Sequence, residues 1–112
     1  MKKEEKELLL KDLCARLPYR VKIHIGKTQR IEEFGDINLR IGSINNTYAD
    51  IKPYLFPLSS MTEEQKTSHN FLKHSAYASP TKLIDFYNKN HIDYRGLIPM
   101  GLAIDCTNLN IY

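Results

Sequence analysis

The stretch Val21-Lys22-Ile23-His24-Ile25 decides the fold. Val21, Ile23 and Ile25 alternate with Lys22 and His24, and a period of two is that of a strand with one face buried. The segment before it has a different period. Leu9, Leu10, Leu13 and Leu17 recur at helical spacing, and Pro18 stops the run, so the sequence predicts a helix over about Lys3 to Arg16. Its acidic residues come early, where the helix dipole favours them. Cys14 lies among these leucines and reads as a small buried hydrophobe.

After Ile25 the punctuation is dense. Gly26-Lys27-Thr28 marks a turn, and Ile31 to Phe34 reads as a second short strand. Gly35-Asp36 turns again. Ile37, Leu39 and Ile41 alternate as a third strand, and Tyr48 to Ile51 adds a fourth. Connections this short favour an antiparallel meander, because parallel pairs need long crossovers. Pro53 and Pro57 bracket Tyr54-Leu55-Phe56, and the segment is expected to be extended and to leave the sheet.

Two helices follow. Ser60 with Glu63, or Thr62 with Gln65, forms a capping box for a helix ending near His74, with Phe71 and Leu72 on its buried side. Ser79-Pro80 starts the next one, which carries Leu83, Ile84, Phe86 and Tyr87 and ends at Asn90 or His91. Asp93 caps a short turn closed by Gly101, and Leu102, Ile104 and Cys106 alternate as a closing strand. The expected class is α+β: an N-terminal helix, a small antiparallel meander sheet, two C-terminal helices and a short closing strand.

The 112 residues suit a single domain spanning 1–112. Apolar residues at 42% and charged residues at 26% are globular proportions, sufficient for one core. The opening residues are too polar for a signal peptide, and no stretch approaches a membrane span, so a cytoplasmic location with no membrane role is expected. Two distant cysteines do not make a disulfide framework. The net charge of +3 arises wholly in residues 1–56, which hold 11 basic and 8 acidic side chains against 5 of each in the rest. That balance is milder than in a typical nucleic-acid domain.

Two strings are distinctive: Ile51-Lys52-Pro53-Tyr54-Leu55-Phe56-Pro57-Leu58-Ser59-Ser60-Met61-Thr62-Glu63-Glu64, and Asn90-His91-Ile92-Asp93-Tyr94-Arg95-Gly96-Leu97-Ile98 with Gly101-Leu102-Ala103-Ile104. Together they resemble a group of small proteins of gut Bacteroidales, their phages and other mobile elements. Phe56 and Pro99 depart from the pattern, standing where charged residues are expected. The resemblance implies a mobile-element or prophage context. It brings no activity and no site residues with it.

The candidate sites follow from residue type. Tyr54 and Phe56, held extended by flanking prolines, form a candidate partner-binding strip or else enter the core. His91, Asp93, Tyr94 and Arg95 gather an imidazole, an acid, a phenol and a guanidinium, either to hold an anionic group or simply to cap and pair. Lys22, His24, Lys27, Arg30 and Arg40 offer a basic sheet face for nucleic-acid phosphates, although Glu32, Glu33 and Asp36 lie close by. His69 and His74 have no CxxC companion and point apart on a helix, so no metal is expected. No cofactor is expected, and no cysteine–histidine pair is suggested locally. The leading functional expectation is a non-enzymatic interaction module acting through a protein partner or self-association. The alternatives are a nucleic-acid-binding accessory protein and an enzyme built around Asp93 and Arg95.

Overall fold

The computed structural model describes residues 3–25, 30–34, 51–75 and 79–112, with Arg30 by its backbone alone. Its described elements run α1 (Lys3–Arg16), β1 (Lys22–Ile25), β2 (Arg30–Glu33), β3 (Ile51–Pro57), α2 (Glu63–His74), α3 (Pro80–Lys89), β4 (Ile92–Asp93) and β5 (Ile104–Asp105). The class is α+β as the residues imply. The sequence reading over Ile37, Leu39, Ile41 and residues 48–50 lies outside the described residues, as do the turns at Lys27 and Gly35.

The sheet is mixed, and that refines the antiparallel expectation. β1 pairs antiparallel with β2 on one side and with β3 on the other. β3 then pairs parallel with β4 and with β5. The physical reason lies in the connection: α2 and α3 stand between β3 and β4, the long crossover that a parallel pair requires.

The proline-bracketed segment therefore stays in the sheet, contrary to expectation. Pro53 lies opposite Ile23, and Pro57 opposite Asp93. Proline cannot donate to a ladder. Here β1 covers only Ile51 to Pro53, and the parallel partners begin at Tyr54, so among the described pairings β3 has one neighbour at a time.

The core lies between α1 and one face of this sheet. Leu9 and Leu13 of α1 meet Val21, Ile23, Phe34, Ile51 and Leu55, and the turn residues Leu97, Leu102 and Ala103 close it. Each of the branched or aromatic side chains contributes about 1.5–3 kcal/mol on burial. The buried stripe of α1 is Leu9, Asp12, Leu13 and Arg16. Cys14 falls beside that stripe and is exposed, which corrects its reading as a core residue.

The caps act as their chemistry dictates. The Thr62 hydroxyl accepts from the Gln65 N–H at 3.1 Å, and the Gln65 side chain accepts from the Thr62 N–H at 3.0 Å. Of the two candidate boxes the structure uses this one. Ser79 caps α3 by accepting from the Lys82 N–H at 3.3 Å, with Pro80 in the first turn. By contrast, no α2 residue is buried, and Phe71 is 65% exposed. Its expected place on a buried side is overturned: α2 packs mainly on α3 and leaves this ring outside.

Two charged residues share the buried stripe of α1. Arg16 Nε donates to Asp12 Oδ2 at 2.8 Å, and both side chains are 0% exposed. Replacing Asp12 with alanine strands the Arg16 charge, and urea unfolding is expected to show a loss of about 3–5 kcal/mol. Replacing both residues with leucine and methionine should recover most of it.

Candidate functional site

The turn after β4 was the most polar cluster in the sequence, and the structure spends each of its groups. Asp93 is buried, and its two carboxylate oxygens accept from the Leu97 and Ile98 N–H groups at 2.9 Å each. Arg95 Nε donates to Asp12 Oδ1 at 3.1 Å, and its Nη2 donates to the Tyr94 hydroxyl at 2.8 Å. Arg16 Nη2 reaches the Ile92 carbonyl at 2.6 Å. One carboxylate, Asp12, thus holds two guanidiniums. Tyr94 lies beneath both, its ring centre 4.8 Å from the Arg95 carbon and 5.5 Å from that of Arg16, and it stacks on Tyr87. Gly96 at φ +78° and Gly101 at φ +76° supply the left-handed turns that fold the loop back.

A shallow cleft of about 500 Å³ borders this turn, lined by Pro57, Leu58 and Ser59 on one side and by Tyr94, Arg95 and Pro99 on the other. Asp93 and Arg95 are already engaged, with the backbone of the turn, Tyr94 and Asp12. His91 does not join them. Its ring stacks on Tyr112 with centroids 3.8 Å apart. Asp93 faces its own loop, Arg95 faces α1 and His91 faces the tail, so the three do not converge on one reacting atom.

The tail carries no periodic pattern, yet Tyr112 contacts β1, β3 and His91. Its hydroxyl accepts from the Lys22 N–H at 2.8 Å and donates to the Tyr54 carbonyl at 2.9 Å. The Phe56 ring lies 5.9 Å away. Burial pushes the phenol well up. No periodicity announces such a contact, because it is a single aromatic beyond the last strand.

The described residues of the partner strip and of the basic face are engaged within the fold. Tyr54 is 5% exposed, and its hydroxyl pairs with His24 Nδ1 at 3.1 Å. It is therefore no surface anchor, because β3 is a sheet strand and buries it. Phe56 is half-buried against Tyr112. Lys22 Nζ donates to the Ile111 carbonyl at 2.8 Å. Lys27 and Arg40 lie outside the described residues, as does the Arg30 side chain. Among the described residues no three His, Cys, Asp or Glu side chains gather where a metal ion would sit, and no helix is long and apolar enough to cross a membrane.

What remains open is the α2–α3 hairpin. His69 Nε2 and the Tyr87 hydroxyl bridge the two helices at 2.8 Å. Burial, then the nearby Lys73 and His74, lowers the His69 pKa. A groove of about 530 Å³ runs between the helices, lined by Thr67, Ser68, Phe71, Leu72 and Phe86. It continues past Ser68 and Phe86 into a polar recess of about 410 Å³ bordered by Glu64, Gln65, Lys89 and Asn90. The surface is concave and apolar with a polar end, a shape suited to receiving a side chain. Sequence reasoning misses it because it places Phe71 and Leu72 on the buried side of the helix. The available signal was the polarity of the other ten residues of α2, which leave too narrow a stripe to bury.

Compared with known proteins, the chain matches no family model, no curated protein and no solved structure.

Two measurements probe the buried groups. Burial, reinforced by Arg16 and Lys22, lowers the His91 pKa from 6.5 to about 4. Between those values the unfolded chain takes up a proton that the native ring refuses, so stability is lost as pH falls through that window. Urea midpoints should drop accordingly, and less steeply in His91→Asn, which retains a residue tolerant of the positive φ of 57°. Burial also pushes the Cys106 thiol up to about 11, while Cys14 is exposed. A disulfide reagent should therefore label one thiol in the native protein and the second only on unfolding.

Proposed function

We propose that this chain is a non-enzymatic protein-interaction module and that its contact surface is the α2–α3 hairpin. One observation carries the reading. Phe71, 65% exposed, stands on a helix with no buried residue beside an apolar groove. Hiding such a ring gains transfer energy that the monomer leaves unused. A concave apolar groove beside an exposed ring is a shape that can receive a partner's side chain.

The hairpin takes the place of the Tyr54 strip and the Asp93–Arg95 turn as the contact region. Those groups have their partners inside the fold. Lys22 and His24 likewise have intramolecular partners, which weighs against a phosphate-binding face. His91, Asp93 and Arg95 face three directions, which weighs against an enzyme centred on them. A prophage or mobile-element origin rests on the two residue strings alone.

A photo-crosslinking phenylalanine analogue at position 71 should give protein adducts in cells. The same analogue at Glu33, exposed on the sheet, should give none. Adducts absent at position 71, or equal at both positions, would remove the hairpin from this role.

A further inference from the structure

Tyr112 fills a gap in the sheet. Along β1 and β3, Ile25 faces Ile51, His24 faces Lys52 and Ile23 faces Pro53, where the pairing stops. The same register brings Lys22 opposite Tyr54. The Tyr112 hydroxyl stands between these two, accepting from the Lys22 N–H at 2.8 Å and donating to the Tyr54 carbonyl at 2.9 Å. A phenol can do this because its oxygen both accepts and donates. A side chain from the tail thus takes the place of a rung in the ladder. The Lys22 ammonium adds a second tie, donating to the Ile111 carbonyl at 2.8 Å.

The seat of the phenol ring is His91, 3.8 Å away and tilted by only 10°. The seat suits the neutral imidazole. Its Nδ1 is buried and has no hydrogen-bond partner among the described residues. A neutral ring can carry its hydrogen on Nε2 and leave Nδ1 bare, whereas an imidazolium must place an N–H there. The charges facing the ring have the wrong sign for it. Arg16 from α1 and Lys22 from β1 both oppose a further positive charge. α3 and β3 bond the backbone of His91, through the Asn88 carbonyl and the Phe56 N–H. The carboxylates of Asp12 and Asp93 are held elsewhere, by two guanidiniums and by two N–H groups of the turn. Burial keeps the Tyr112 phenol and the Cys106 thiol neutral. The phenol face attracts cations, but the Lys22 ammonium already lies 5.7 Å from its centre.

The geometry points to a proton-operated latch: the Tyr112 strap stays on the sheet while His91 is neutral and comes off when His91 takes up a proton, uncovering the Lys22 N–H and the Tyr54 carbonyl. Release leaves one donor and one acceptor open between two strands, beside the rings of His91 and Phe56. The latch shares no residue with the hairpin groove and does not depend on it.

Amide hydrogen exchange in the full chain reads the latch at a single site. The Lys22 amide should be protected at neutral pH. Its protection factor should fall between pH 6.5 and about 4, by up to about tenfold per pH unit, the slope set by one proton. The Phe34 and Cys106 amides are bonded to the Val21 and Leu55 carbonyls, which the strap does not touch. They should remain at least about tenfold more protected than Lys22 at each pH, as local opening requires. Tyr112→Ala should bring the His91 ring titration, followed by NMR, up from about 4 towards 6.5. Tyr112→Phe, which keeps the stack and loses the hydroxyl, should strip protection from Lys22 at all pH values. His91→Asn should make Lys22 protection independent of pH over this range. Three results would each overturn the latch: Lys22 protection unchanged by acid or by Tyr112→Phe, loss of protection at Lys22, Phe34 and Cys106 together, or a His91 titration indifferent to Tyr112→Ala. Acid release that persists in His91→Asn would overturn it as well.

Discussion

The buried ion pair of Asp12 and Arg16 constrains everything around it. Taking two charges fully out of water costs several kcal/mol per ion, and only well-placed partners offset that. Asp12 meets the requirement by accepting from both Arg16 and Arg95. Arg16 meets it in part by reaching on to the Ile92 carbonyl, while its Nη1 is buried with no hydrogen-bond partner among the described residues. Ile92 opens β4, the strand that lies parallel to β3. The first helix is thereby tied to a strand 76 residues later, and to the turn that follows it. Nonpolar packing between α1 and the sheet tolerates small slips in register, whereas these hydrogen bonds do not.

From that anchor the polar residues of the second half are used up in order. Asp93 terminates two backbone N–H groups of its loop. Arg95 turns inward to Asp12, and Tyr94 fills the space under the guanidiniums. His91 is pressed against Tyr112, which in turn links Lys22 of β1 to Tyr54 of β3. Asp93, Tyr94 and Arg95 are thus engaged within the fold, and His91 is held by its stack on Tyr112.

The α2–α3 hairpin is the counterpart of this cluster. It forms the crossover that makes parallel pairing of β3 and β4 feasible, so it must exist whatever its surface does. Its attachment runs chiefly through α3, while α2 stands outermost with Phe71 exposed. A crossover element with spare apolar surface can take on binding without disturbing the core, because nothing in the α1–sheet packing depends on its outer face.

Local physics made much of this legible in the residues themselves. The bounds of α1, the Thr62 and Ser79 caps, the alternation of β1 and the short strand at Ile104 all follow from nearest-neighbour rules of spacing, capping and proline chemistry. The positions of Asp12 and Arg16 were legible too, since both fall on the Leu9–Leu13 stripe, although a charged pair there reads equally well as a solvated edge. Other features needed the tertiary structure. Whether prolines expel a strand depends on which side its ladder lies. Whether Phe71 is covered depends on how two helices pack. Tyr112 acquires a role only when residues 90 positions apart meet. The elements and their ends were written in the residues, because those are set within a few positions. The mixed sheet, the engaged polar turn and the exposed hairpin emerged on folding, because each depends on contacts between distant segments that no local pattern records.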